Sequence, residues 1–206
     1  MNTFIEMHIK SPFTSIYPRY NRWHAVQALN QLLQLDDFLI LDTETTGIGK
    51  GAEICELAII SYKTGEVLFN SLICPCKLAE YEVSKAREIT GITSEALSNA
   101  PWLDTVWNEV LDILKSKHIT SFNTSFDLKV IRNSAQVWNI DVPPFDATCL
   151  MQLTTAWFNL DYWLNLDEAA SLLGIDIEAI EGDRHRALFD VRVTRAIIQK
   201  LKEMTK

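Results

Sequence analysis

Ten residues, FLILDTETTG at positions 38–47, constrain this chain more than any other stretch. Phe38 to Leu41 run apolar without interruption, as expected of a central strand covered on both faces. The strand then delivers two acids, Asp42 and Glu44. Side chains two apart on a strand point the same way, roughly 6 to 7 Å apart along it, so both carboxylates can converge on one spot. Thr45, Thr46 and Gly47 end the strand with small residues that let another backbone or a phosphate approach closely. Crowded carboxylates repel each other, and a divalent cation resolves the conflict. Two solvated acids at a surface strand end are the plainer alternative, and the rest of the chain decides between the two.

The chain has 206 residues, enough for one domain with a full core and a short appendage. Residues 1–36 read as an extension. Pro12 and Pro18 hold its first part out of helix, and Arg22 to Leu35 then forms an amphipathic helix with a stripe of Trp23, Val26, Leu29 and Leu33. That stripe packs on the domain or takes a partner, such as a polymerase, through residues 1–36. Residues 37–206 form the main domain. Two strands joined through Lys63 to Gly65 follow the central one, which gives the sheet an antiparallel start. The stretch from Ser84 to Asn99 reads as brief helices, and Pro101 opens a helix to Lys115. A short strand spans His118 to Phe122, a helix Ser125 to Trp138, and a last strand Phe145 to Thr148. Helices cover Cys149 to Asn159, Leu166 to Leu173 and Ala187 to Glu203. Strands first and helices interleaved later predict an α/β fold with a mixed sheet flanked by helices.

Composition narrows the function. A net charge of −8 argues against tight non-specific binding to long nucleic acid, which needs many Lys and Arg contacts to phosphates, but permits a grip on a few nucleotides through metal ions. No apolar run approaches the length of a membrane span, and Glu6 and His8 stand where a signal peptide would be apolar. The expected setting is cytoplasmic, and Cys55, Cys74, Cys76 and Cys149 are read as reduced thiols.

Three further residues complete a candidate site. Asp127 follows a short strand and sits in the first turn of a helix, where the helix dipole alone would also explain an acid. Asp190 lies near the start of the last helix. His185 precedes it by five residues in a Gly- and charge-rich loop, 181–186, suited to a general base that reaches a metal held by that acid. Arg184 and Arg186 flank the base and are candidates to steady a phosphate.

The order of these residues resembles the DnaQ-like, DEDDh family of 3′-to-5′ exonucleases, which includes the epsilon proofreading subunit of bacterial DNA polymerase and ribonuclease T. The resemblance rests on LDTETTG at 41–47, ITGIT at 89–93, SFNTSFDLKVI at 121–131 and HRALFDVRVTRAI at 185–197. It implies a ribonuclease H-like fold with a five-stranded mixed sheet. It also implies that Asp42, Glu44, Asp127 and Asp190 bind two Mg²⁺ or Mn²⁺ ions and that His185 is the base. Contacts to the terminal nucleotide are implied at Thr45, Ile48 and Phe126, with Thr46, Thr90 and Asn123 counted among the candidates from the same motifs. Phe122 and Thr90 stand where many members carry His, and Phe189 and Val191 flank Asp190 where smaller residues are common.

The expected activity is metal-dependent hydrolysis of terminal phosphodiester bonds at the single-stranded 3′ end of DNA or RNA, DNA slightly favoured, releasing nucleoside 5′-monophosphates in repair or proofreading. Hard carboxylate oxygens are the ligands that Mg²⁺ and Mn²⁺ prefer, and a cation pair absorbs charge on a scissile phosphate. Asp42 would bridge both ions, Glu44 and Asp190 complete the site bearing the attacking water, and Asp127 support the second ion. Two other readings remain: a binding module of the same fold without turnover, and a phosphatase using Asp42 as an aspartyl nucleophile. The absence of a long tail after the last helix favours a stand-alone enzyme or one recruited through residues 1–36; no feature of the sequence sets its oligomeric state.

Overall fold

A computed structural model of the chain describes residues 21–82 and 84–205. The expectation for Pro12, Pro18 and their neighbours lies outside them. The five strands are β1 (Leu39–Thr45), β2 (Ile54–Ser61), β3 (Val67–Leu72), β4 (Ile119–Ser121) and β5 (Ala147–Cys149), in the sheet order β3-β2-β1-β4-β5. β1 pairs antiparallel with β2 and parallel with β4. The helices are α1 (Arg22–Leu33), α2 (Leu78–Glu82), α3 (Lys85–Thr90), α4 (Ser94–Ser98), α5 (Leu103–Leu114), α6 (Thr124–Val137), α7 (Leu150–Trp157), α8 (Leu166–Leu172) and α9 (Ala187–Glu203). This is the five-stranded mixed sheet flanked by helices that the sequence predicts.

β1 is central because both of its faces are apolar. Phe38 and Ile40 pack into one cluster with Leu29 of α1, Leu153 of α7 and Ile197 of α9. Leu39 and Leu41 point the other way, into a cluster with Trp107 and Val110 of α5 and Leu128 and Ile131 of α6. The period-2 alternation of a strand then carries straight into the site. Asp42 and Glu44 continue the Phe38 and Ile40 series toward the α9 side, while Thr43 continues the Leu39 and Leu41 series toward α6. A bulge follows: Glu44 pairs with Glu56 but Thr45 pairs with Ile54, so Cys55 is an extra residue on β2.

Two local expectations need correction. The helix predicted from Pro101 begins at Leu103, because Trp102 is extended and bridges Cys74, whose N–H donates to the Pro101 carbonyl at 2.9 Å. The α1 stripe holds at Val26, Leu29 and Leu33, which pack in or against the core, and fails at Trp23. Ala25, Leu29 and Leu32 are buried, whereas Trp23 is 61% exposed, because small Ala25 lets the helix lie close on the core while Trp23, in the first turn, stays outside it. Asn21 caps α1 through its side chain, accepting the Trp23 and His24 N–H groups at 3.1 and 3.4 Å. Among the described residues no helix is long and apolar enough to cross a membrane, and the four cysteines are free, with Cys76 exposed and the other three buried.

Because α1 closes the same cluster as α7 and α9, Leu29→Ala should cost about 2 to 5 kcal/mol in urea unfolding. Trp23→Ala should stay within about 0.5 kcal/mol of wild type. Equal effects at the two positions would show that α1 does not use this face.

Candidate active site

Three carboxylates meet at the C-terminal end of β1. Asp42 and Glu44 arrive from the strand and Asp190 from the first turn of α9, and each contributes an oxygen that lies within 4.8 Å of the others. All three side chains are half-buried. Burial pushes Asp42 well above its ordinary pKa, and the neighbouring charges of Asp127, Asp190 and Glu44 push it further. Burial, and then the charge of Asp190, raises Glu44 to about 8. Burial, and then Asp167, raises Asp190 to about 7. Among the described residues no ion pair joins any of the three to a Lys or Arg.

Asp127 is handled differently. It sits in the first turn of α6, directly after β4, and is 3% exposed. The Thr43 N–H and hydroxyl donate to its Oδ1 at 3.1 and 2.8 Å, and the Ser121 hydroxyl donates to Oδ2 at 2.8 Å. Burial raises its pKa to about 6, a rise held back by those donors. Asp127 thus stands beside the trio and acts on it by charge, with both of its oxygens already hydrogen-bonded.

His185 is exposed and takes a left-handed backbone conformation, φ 59°. It lines an open cleft of about 350 Å³ together with Asn165, Asp167, Arg184, Phe189 and Asp190. The base candidate and the α9 carboxylate therefore share one cavity.

The remaining predicted positions separate. Thr45 is buried and its hydroxyl donates to the Gly47 carbonyl at 2.7 Å, which shapes the turn after β1. The Thr46 hydroxyl accepts the Glu53 N–H at 3.0 Å. Ile48, 86% exposed, projects from that turn. Asn123 and Phe126 are half-buried at the start of α6, with Phe126 packed against the α5 and α6 cluster. Thr90 departs from expectation: it is buried, with its hydroxyl 3.0 Å from that of Tyr81 and accepting the Ile92 N–H at 3.3 Å, so it has no face to offer a bound strand.

The two arginines also depart from expectation. Arg184 is ion-paired with Asp167 and, at 3.2 Å, with Glu178. Arg186 is ion-paired with Glu56, a residue that the motif reading passed over. The readable signal for Glu56 was a lone acid inside ICELAIIS, a strand buried along its whole length.

The comparisons agree with this geometry. An exonuclease family model of the RNase T type matches residues 39–198. The uncharacterised exonuclease CP81 of Escherichia phage 186 is 31% identical over 178 residues, covering 81% of this chain and 88% of the phage protein. The PolC-type DNA polymerase III of Thermotoga maritima is 32% identical over 175 residues, which is 82% of this chain but only 12% of that polymerase. Among solved structures, the nuclease domain of 3′hExo, a DEDDh member bound to rAMP, superposes with a TM-score of 0.64 at 20% identity, over 82% of this chain and 92% of that one. With four acids in the DEDDh order, a ribonuclease H-like sheet and a match along most of its length, this chain belongs to the RNase T-type exonuclease family.

Proposed function

We propose that this exonuclease removes nucleotides from the single-stranded 3′ end of DNA, and with lower preference RNA, as nucleoside 5′-monophosphates. The observation that carries the proposal is the convergence of Asp42, Glu44 and Asp190 within 4.8 Å, beside a cleft that His185 lines.

The cluster fits divalent cations on its own chemistry. It offers oxygen donors alone, its members make no ion pair with a Lys or Arg among the described residues, and they are raised in pKa by burial and mutual repulsion, the conflict a hard cation relieves. Asp42, Glu44 and Asp190, supported by Asp127, would hold two Mg²⁺ or Mn²⁺ ions. Such ions supply positive charge for the scissile phosphate and lower the pKa of an attacking water. His185 accepts the water's proton at a ring nitrogen, and its place on an exposed loop edge gives it reach over the cleft. Exposed Ile48 serves as a wedge for the terminal base, and half-buried Phe126 as its stacking platform, worth about 1 to 3 kcal/mol per base. Thr45, Thr46 and Asn123 shape the backbone around the terminal nucleotide. The acidic chain, with both loop arginines already engaged, fits a short grip on a strand end in which the metal supplies the positive charge.

A 5′-labelled single strand incubated with Mg²⁺ should shorten from its 3′ end and yield nucleoside monophosphates. His185→Ala should lower kcat by about 10²- to 10⁴-fold. Free inorganic phosphate as the product would favour the aspartyl phosphatase instead, and binding of the strand without shortening would favour the inactive module.

The raised carboxylates also fix a sign for stability. In the metal-free protein the folded state holds protons on Asp127, Asp190 and Glu44 up to about pH 6, 7 and 8, whereas the unfolded chain releases them near its ordinary values. Their contribution is therefore complete at low pH and is lost as pH rises through that window. Without metal, Tm should fall from about pH 4 to about pH 8, and Asp190→Asn should be more stable than wild type at the upper end, by on the order of 1 kcal/mol. Mn²⁺ at a hundredfold excess over Kd should restore about 2.7 kcal/mol there, and less at the acid end, where protons compete. A metal-free Tm that rises across the window would refute the carboxylate crowding.

A further inference from the structure

We propose that Glu56 and Arg186 form a positioning pair that seats His185 and Asp190 at the carboxylate cluster; the inference rests on the nuclease reading above and adds two residues to it. Glu56 of β2 stands directly opposite Glu44 of β1, so the two acids leave the sheet on the same face. An unpaired carboxylate there would repel the cluster and compete for its cation. Glu56 is instead 2% exposed and fully engaged. Arg186 donates from Nη2 to Oε1 at 2.6 Å and from Nε to Oε2 at 3.0 Å, and the Ala187 N–H donates to Oε2 at 3.0 Å.

This arrangement locks two consecutive residues at the start of α9. The planar fork of the guanidinium matches the carboxylate plane, which Lys cannot reproduce. The Ala187 N–H is a first-turn donor that would otherwise lack a partner within its helix. The Arg186 carbonyl in turn accepts the Asp190 N–H at 3.1 Å, so the metal-ligand acid hangs directly from the locked residue. On the other side is His185, in a left-handed conformation that a non-Gly residue holds when its surroundings over-determine it. Arg186 pinned to Glu56 after it, and Arg184 pinned to Asp167 and Glu178 before it, supply that determination. One ion pair between residues 130 apart thus sets the placement of both the base and the α9 ligand.

The test compares wild type with Glu56→Gln, Arg186→Lys, Arg186→Met, the Glu56→Gln/Arg186→Met double variant and His185→Ala. It measures kcat and KM on a labelled single strand, Mn²⁺ affinity by calorimetry, and hydrogen exchange at the Ala187 and Asp190 amides of the metal-free protein. The positioning role predicts that each single variant loses about 10- to 100-fold in kcat or Mn²⁺ affinity, with KM within about threefold of wild type and faster exchange at both amides. It also predicts that the double variant, which leaves no unpaired buried charge, falls no further than the worse single variant. Wild-type kcat and Mn²⁺ affinity in the folded double variant, with only Tm lowered, would reduce the pair to a structural tie and overturn the inference. A raised KM at unchanged kcat in the Arg186 variants would also overturn it, by placing Arg186 on the substrate. Failure of the underlying reading looks different: wild type would not shorten strands, or His185→Ala would match it.

Discussion

The structure is organised around a repulsion. Four acids are drawn to one end of the sheet from β1, α6 and α9, and a fifth, Glu56, stands beside them on β2. The fold divides these charges into two groups. Asp127 is satisfied by the donors of Thr43 and Ser121, and Glu56 by Arg186 and the start of α9. Among the described residues, Asp42, Glu44 and Asp190 are left facing one another with no ion pair to a Lys or Arg. A protein that hydrogen-bonds two acids internally and leaves three crowded has gathered under-satisfied carboxyl groups at one point, which is where a divalent cation gains most.

Holding that crowd together requires a rigid frame on both sides of β1. The α1, α7 and α9 cluster packs on one face and the α5 and α6 cluster on the other. The strand therefore cannot rotate or slide to separate its acids, since a one-residue slip would turn every side chain to the wrong face. The bulge after Glu44 shifts the pairing register at the end of β1, beside the site, and the Thr45 hydroxyl then closes the turn on the Gly47 carbonyl. A phage exonuclease of similar length and a much longer polymerase each align with about four-fifths of this chain.

Much of this was legible without coordinates because it is local. The alternation that puts Asp42 and Glu44 on one side is imposed by strand geometry, so a spacing of two sufficed to place both at the cluster. The last helix was predicted as Ala187 to Glu203 and is found there, because its apolar period is long and unbroken. Asp127 and Asp190 at first turns followed from helix starts that the sequence marks. Predictions weakened where a local signal competed with a contact from elsewhere. Pro101 suits a first helical turn, but the Cys74 bridge holds its neighbour extended. Trp23 suits an apolar stripe, yet the core meets α1 through Ala25 instead.

The sequence by itself determined the fold class, the strand that carries the first two acids and the identity of the acids, since each depends on residue type and short-range period. Tertiary structure alone decided which acids remain free and which are consumed. Nothing in the spacing of Glu56 and Arg186, 130 residues apart, joins them. Those outcomes depend on which surfaces meet after the sheet closes, and a one-dimensional period carries no record of partners that lie a hundred residues away.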